Sequence, residues 1–166
     1  MRLARLAGTE VPMLLEAGGF SGNDKCAVCH PQETATWRFT EHAVAFDTLV
    51  ARGADHDPEC VRCHVVGFGE PRGYSEAGRE KHFENVGCET CHGLGGGHLA
   101  TKPRAAADYR PACERCHDAK HSLGFDYASF LPKVSHVALA ALTDADRARL
   151  VASRGQPRDL LPTSAA

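Results

Sequence analysis

The sequence predicts a mainly α-helical chain with much irregular structure, in which short helices and loops wrap around bound groups instead of a large apolar core. Three observations lead there. The pattern Cys-x-x-Cys-His occurs four times, at residues 26–30, 60–64, 88–92 and 113–117, and it uses all eight cysteines. Aromatic residues make up only 7% of the chain, while 16 glycines and 9 prolines favour loops. Strand-like alternation of apolar and polar residues is nearly absent.

Cys-x-x-Cys-His is the attachment sequence of c-type haem. Two sulfurs have to reach the two vinyl groups of one ring, and residues at i and i+3 lie one helical turn apart on one face. The His that follows brings an imidazole to the iron from the same side. Cys26 with Cys29, Cys60 with Cys63, Cys88 with Cys91, and Cys113 with Cys116 are therefore read as thioether anchors of four haem c groups. His30, His64, His92 and His117 are read as their proximal iron ligands. Zinc sites also use paired Cys-x-x-Cys, but need no His after each pair. With ten histidines in 166 residues, four such coincidences have a probability of roughly 10^-5 on composition alone. A thioredoxin-like dithiol would occur once, beside a βαβ pattern. A disulfide scaffold would use varied spacings.

A chain of this length is ordinarily one domain. The segments between motifs are too short to bury a separate haem each, so the four haems are expected to pack closely together in a multihaem cytochrome c fold. Residues 1–20 form a lead-in. Residues 21–153 form the tetrahaem domain, with a C-terminal helical part over 134–153, and 154–166 form a tail. The formal charge is −2. Eight propionates and four ferric irons take the oxidised protein to about −6. That balance argues against nucleic acid and favours redox partner proteins with a basic docking patch. No stretch is long or apolar enough to span a membrane. The start carries Arg2 and Arg5 but only a short apolar run over 11–15, a poor signal peptide. Covalent haem attachment nevertheless takes place outside the cytoplasm of bacteria and archaea, so a periplasmic or otherwise extracytoplasmic location is expected.

Pro31 follows the first motif where a helix favours proline. The run 31–52 then reads as one helix with Gly53 as its stop. Phe39, His42, Phe46 and Leu49 would share its apolar face, and an imidazole on such a face suits a distal ligand. His56 lies in a polar turn between Asp55 and Asp57 and reads as a solvated loop residue. His82 sits in a charged stretch and is a further candidate ligand. After the third motif, Gly93, Gly95, Gly96 and Gly97 permit positive φ and close backbone approach. His98 lies six residues beyond His92, a span of at most about 20 Å, which barely rounds a porphyrin. His98 is therefore expected to ligate a different iron. His121 is too close to His117 to loop round that haem and reads as structural. His136 opens a helical run and is a candidate distal ligand, and Thr143 reads as a fresh helix start.

Beyond these residues, the chain from Lys25 to about His136 resembles the tetrahaem cytochrome c family typified by the electron acceptor of hydroxylamine oxidoreductase in ammonia-oxidising bacteria. Three collinear stretches carry the resemblance. The first motif is followed by Trp37 and Thr40-Glu-His-Ala-Val-Ala. The second continues as Val65-Val-Gly-Phe-Gly with Gly73-Tyr74 downstream. The third is preceded by Val86-Gly and followed by Gly93 and His98. The resemblance implies that His98 caps haem 1, His42 caps haem 4, and a C-terminal His, here His136, caps haem 3. It implies an open sixth position on haem 2, with His64 its only protein ligand, and haems arranged in stacked pairs. The C-terminal region is shorter than in the type member. His82 has no clear counterpart there and would be the residue to fill haem 2.

Electron transfer between redox partners is the expected function. Met1 and Met13 both precede the first motif, so bis-His ligation is the default and low potentials are expected. Two other readings stand beside it: reduction or binding of a nitrogen oxide at an open haem 2, and a subunit of a conductive haem assembly. Six histidines lie outside the motifs, so no ligand need be borrowed from a neighbouring chain, and a monomer or simple oligomer is expected.

Overall fold

The computed structural model describes residues 19–95 and 108–154. Nine short α-helices and three single-turn 3-10 segments account for the regular structure among the described residues. They are α1 (Asn23–Cys29), α2 (Pro31–Trp37), α3 (Ala45–Val50), α4 (Pro58–Val61), α5 (Cys88–His92), α6 (Arg110–Glu114), α7 (Tyr127–Phe130), α8 (His136–Ala140) and α9 (Asp144–Ser153). The only β pairing among them is an isolated antiparallel bridge between Val65 and Glu84. The expected mainly helical, loop-rich fold is what forms.

The helix starts follow local chemistry. Pro31 and Pro58 occupy first turns, where a missing N–H costs nothing. Asp57 caps α4 by accepting from Glu59 N at 2.9 Å. Ser135 caps α8. Thr143 and Asp146 form a reciprocal capping box at the start of α9.

The single helix expected over 31–52 is instead two helices separated by a break. Within a continuous helix His42 O would accept from Phe46 N. Here His42 O accepts from Val86 N at 3.1 Å, and Phe46 N donates to Asn85 Oδ1 at 2.9 Å. Residues 85 and 86 thus take both halves of one helical hydrogen bond. Thr40 ends α2 by donating from its hydroxyl to Trp37 O at 2.7 Å, and the Trp37 indole donates to Val86 O at 2.9 Å. The expected shared face is split as a result. Phe46 and Leu49 enter the core, Phe39 lies under the Arg147 guanidinium, and His42 turns towards His117.

The core is small. Phe46, Leu49, Val61, Val65, Val66, Tyr74 and Phe83 form it, with Phe20, Ala54, Cys60 and Phe68 packed against it. It backs the second motif. The loop that closes it needs two glycines. A Cβ at Gly73 would lie 2.0 Å from Gly67 O, and Gly67 adopts φ 67° with the Phe20 ring against it.

Candidate functional site

Each Cys-x-x-Cys-His segment is wound into a helical turn. His30 N donates to Cys26 O and His117 N to Cys113 O, both at 2.9 Å, while His64 N donates to Val61 O at 2.8 Å. The winding puts the first cysteine and the histidine of a motif on the same side. None of the eight cysteines is in a disulfide. No group of three or more His, Cys, Asp or Glu side chains converges as a metal cluster among the described residues, so the cysteine pairs do not meet in zinc-like tetrads.

The motifs lie beside one another in a definite order. The Cys26 and Cys88 thiols share a hydrogen bond that holds Cys26 below the usual thiol range and pushes Cys88 above it. Helices α5 and α6 pack together, Arg115 donating to Thr90 O at 2.8 Å, and Cys91 lies near Cys113. Burial, with Cys63 alongside, pushes Cys116 up to about 12. The spatial sequence of motifs is therefore first, third, fourth, second.

The imidazoles are held through Nδ1. His64 Nδ1 lies 2.6 Å from Ala45 O, and a carbonyl only accepts, so Nδ1 carries the proton and Nε2 a lone pair. His117 Nδ1 lies 3.0 Å from Ser122 Oγ and His92 Nδ1 3.4 Å from Tyr109 Oη, while His30 Nδ1 faces Glu33 Oε2 at 3.8 Å, an ion-pair distance. Ligating histidines characteristically engage their second nitrogen in this way. Burial lowers His64 and His117, and burial followed by the neighbouring His117 and His64 lowers His42 to about 4. These rings are neutral near pH 7, as iron ligation requires.

Two further imidazoles face proximal ones. The His92 and His136 ring centroids are 6.2 Å apart, with planes inclined by 15°. The His42 and His117 centroids are 6.0 Å apart. An iron with an imidazole on each side needs a separation of roughly 6 Å, from two bonds of about 2 Å and about 1 Å from each nitrogen to its ring centre. The donor set, its protonation and its spacing fit haem c.

His82 is not brought to His64. Its ring packs on Phe83, with centroids 4.0 Å apart. It lies beside Gly22 and lines a cleft with Phe20, Lys25 and Arg72. Among the described residues no aromatic or imidazole ring lies against His64. His98 lies outside the described residues. His56 accepts from Arg79 at 2.9 Å, and His121 pairs with Asp118 at 2.8 Å, both at the surface.

Several supporting residues escape a reading of the sequence. The buried Glu89 carboxylate, inside the third motif, accepts from Ser21 N, Gly22 N and Gly95 N at 2.8–3.0 Å. It ties the start of α1 to α5. Tyr109 and Thr36 hold imidazoles 17 and 100 positions away, and Ser122 holds that of His117, five positions before it. Their spacing to those histidines follows no local motif.

Residues 25–93 match the family of cytochrome c554 and c-prime. Cytochrome c-554 of Nitrosomonas europaea is 35% identical over 91 residues, covering 46% of this chain and 39% of that protein. The match thus spans well under half the length of the curated relative. The solved structure of reduced cytochrome c554 from Nitrosomonas europaea aligns with a TM-score of 0.51 at 23% identity, over 81% of this chain and 83% of that one. The helical multihaem c-type cytochrome fold is common to both. No helix among the described residues is long and apolar enough to cross a membrane.

Proposed function

We propose that this chain is an electron carrier, a tetrahaem c-type cytochrome that passes electrons between redox partner proteins. The observation that carries the reading is the unbroken spatial series of attachment motifs, first to third to fourth to second. Bound haem would supply iron cycling between ferric and ferrous states. The chain's own part is to hold four such groups as neighbours and to set their axial ligands. His92 and His136 would hold haem 3, and His117 and His42 haem 4; the ring separations support both pairs. His30 serves haem 1, with His98 as its partner by resemblance. His64 serves haem 2. A periplasmic location and a partner with a basic docking patch accompany this reading, as does a monomer or simple oligomer.

The test is a haem count by pyridine haemochrome, joined to a potentiometric titration of the purified holoprotein. Four covalent haems per chain, all reducible and mostly low-spin, are expected. Fewer than four covalent haems would sink the reading.

A second reading concerns haem 2. By the resemblance alone, its sixth position would be open to a small molecule such as nitric oxide. A high-spin EPR signal of at most one haem in four, lost on adding nitric oxide, is the expected result. Four low-spin haems would remove this reading.

A further inference from the structure

We infer that Thr36 sets the redox potential of haem 3 by fixing and polarising the imidazole of His136; this rests on the reading of His136 as that haem's axial ligand. The hydrogen-bond directions are determined by the donor count. A threonine hydroxyl has one proton. Thr36 Oγ1 donates it to Glu33 O at 2.8 Å within its own helix. Towards His136 Nδ1, at 2.8 Å, the same oxygen can then only accept. The His136 Nδ1 therefore carries the proton, which leaves the lone pair on Nε2, in a ring whose centroid lies 6.2 Å from that of His92.

Thr36 is buried, so this contact is shielded from competing water. The hydroxyl lies on α2, immediately after the first motif, and α2 packs against α8, which carries His136. An acceptor on Nδ1–H raises the basicity of the ligating nitrogen, which favours the ferric over the ferrous iron and lowers the potential. The other distal imidazole gives an internal contrast. The His42 ring faces His117 with no threonine hydroxyl bonded to it among the described residues.

The experiment uses full-length holoprotein and three variants, Thr36→Val, Thr36→Ser and His136→Ala, with potentiometric titration followed by EPR. His136→Ala identifies the haem by converting one low-spin signal to high spin. In Thr36→Val that same haem is expected to titrate at a higher potential with a moved low-spin signal, the other haems unchanged. Thr36→Ser is expected to restore both. Unchanged potential and signal in Thr36→Val, with His136→Ala still converting a haem, would overturn the role of Thr36 alone. No conversion in His136→Ala would overturn the ligand assignment and the inference with it. Should Thr36→Val fail to load four haems, wild-type protein supplies the readout: the paramagnetically shifted Nδ1–H of His136 is expected to exchange slowly with solvent, and fast exchange would refute the hydrogen bond.

Discussion

Tyr74 is wholly buried, yet its hydroxyl has no hydrogen-bond partner. The ring is useful, packing on Phe46 and Phe68, but an orphaned buried hydroxyl costs about 1–3 kcal/mol. Tyr74→Phe keeps the packing and removes the orphan. The expected outcome is unchanged or higher stability, by up to about 1 kcal/mol in denaturant titration. A second residue-scale prediction concerns Asp55, which pairs with Arg79 at 2.8 Å. The Arg79 hydrogen bond holds Asp55 below the usual carboxylate range. The sign follows directly: the pair contributes above the ordinary Asp value and is lost as the pH falls through the depressed one. The gap in melting temperature between wild type and Asp55→Asn should therefore be present at neutral pH and shrink towards zero in acid. A gap independent of pH would show that Asp55 acts through something other than its charge.

At the scale of elements, the break between α2 and α3 depends on Asn85, which sits at φ 74° and accepts from Phe46 N. Asn85→Ala loses the acceptor and puts a Cβ-bearing residue without a side-chain oxygen in the left-handed region, costing about 2–3 kcal/mol. Asn85→Asp keeps an acceptor and should cost less. Chemical denaturation distinguishes the two, and equal losses would refute the hydrogen-bond account. The same break shows what was legible in advance. The starts of α8 and α9 follow from Ser135, Thr143 and Asp146, residues that act within one turn. The eight cysteines and their following histidines are legible for the same reason. The interruption at residues 38–44 is fixed chiefly by residues 85 and 86, and within 31–52 only Thr40, which ends α2, contributes to it. Glu89 and Thr36 escape a local reading likewise, because Ser21 and His136 lie 68 and 100 positions from them.

Over the whole molecule, order in space departs from order in sequence. The third motif lies between the first and the fourth, and the second lies at the far end. The oxidised holoprotein is expected to carry about −6. Reduction by a small cationic donor should slow as salt rises, and reduction by dithionite should quicken. Stopped-flow traces at two ionic strengths test this. Opposite trends would place a basic patch at the point of electron entry.

The contact between Thr36 and His136 also has a history in time. A ribosome adds about 5–20 residues per second, amino end first. His136 therefore leaves it roughly 5–20 s after Thr36, since 100 positions separate them. A nascent chain holds the cysteines of the first three motifs well before the partner of α2 exists. A chain still emerging therefore holds His92 without the imidazole that later faces it, and the far side of the third motif closes only once α8 has been made.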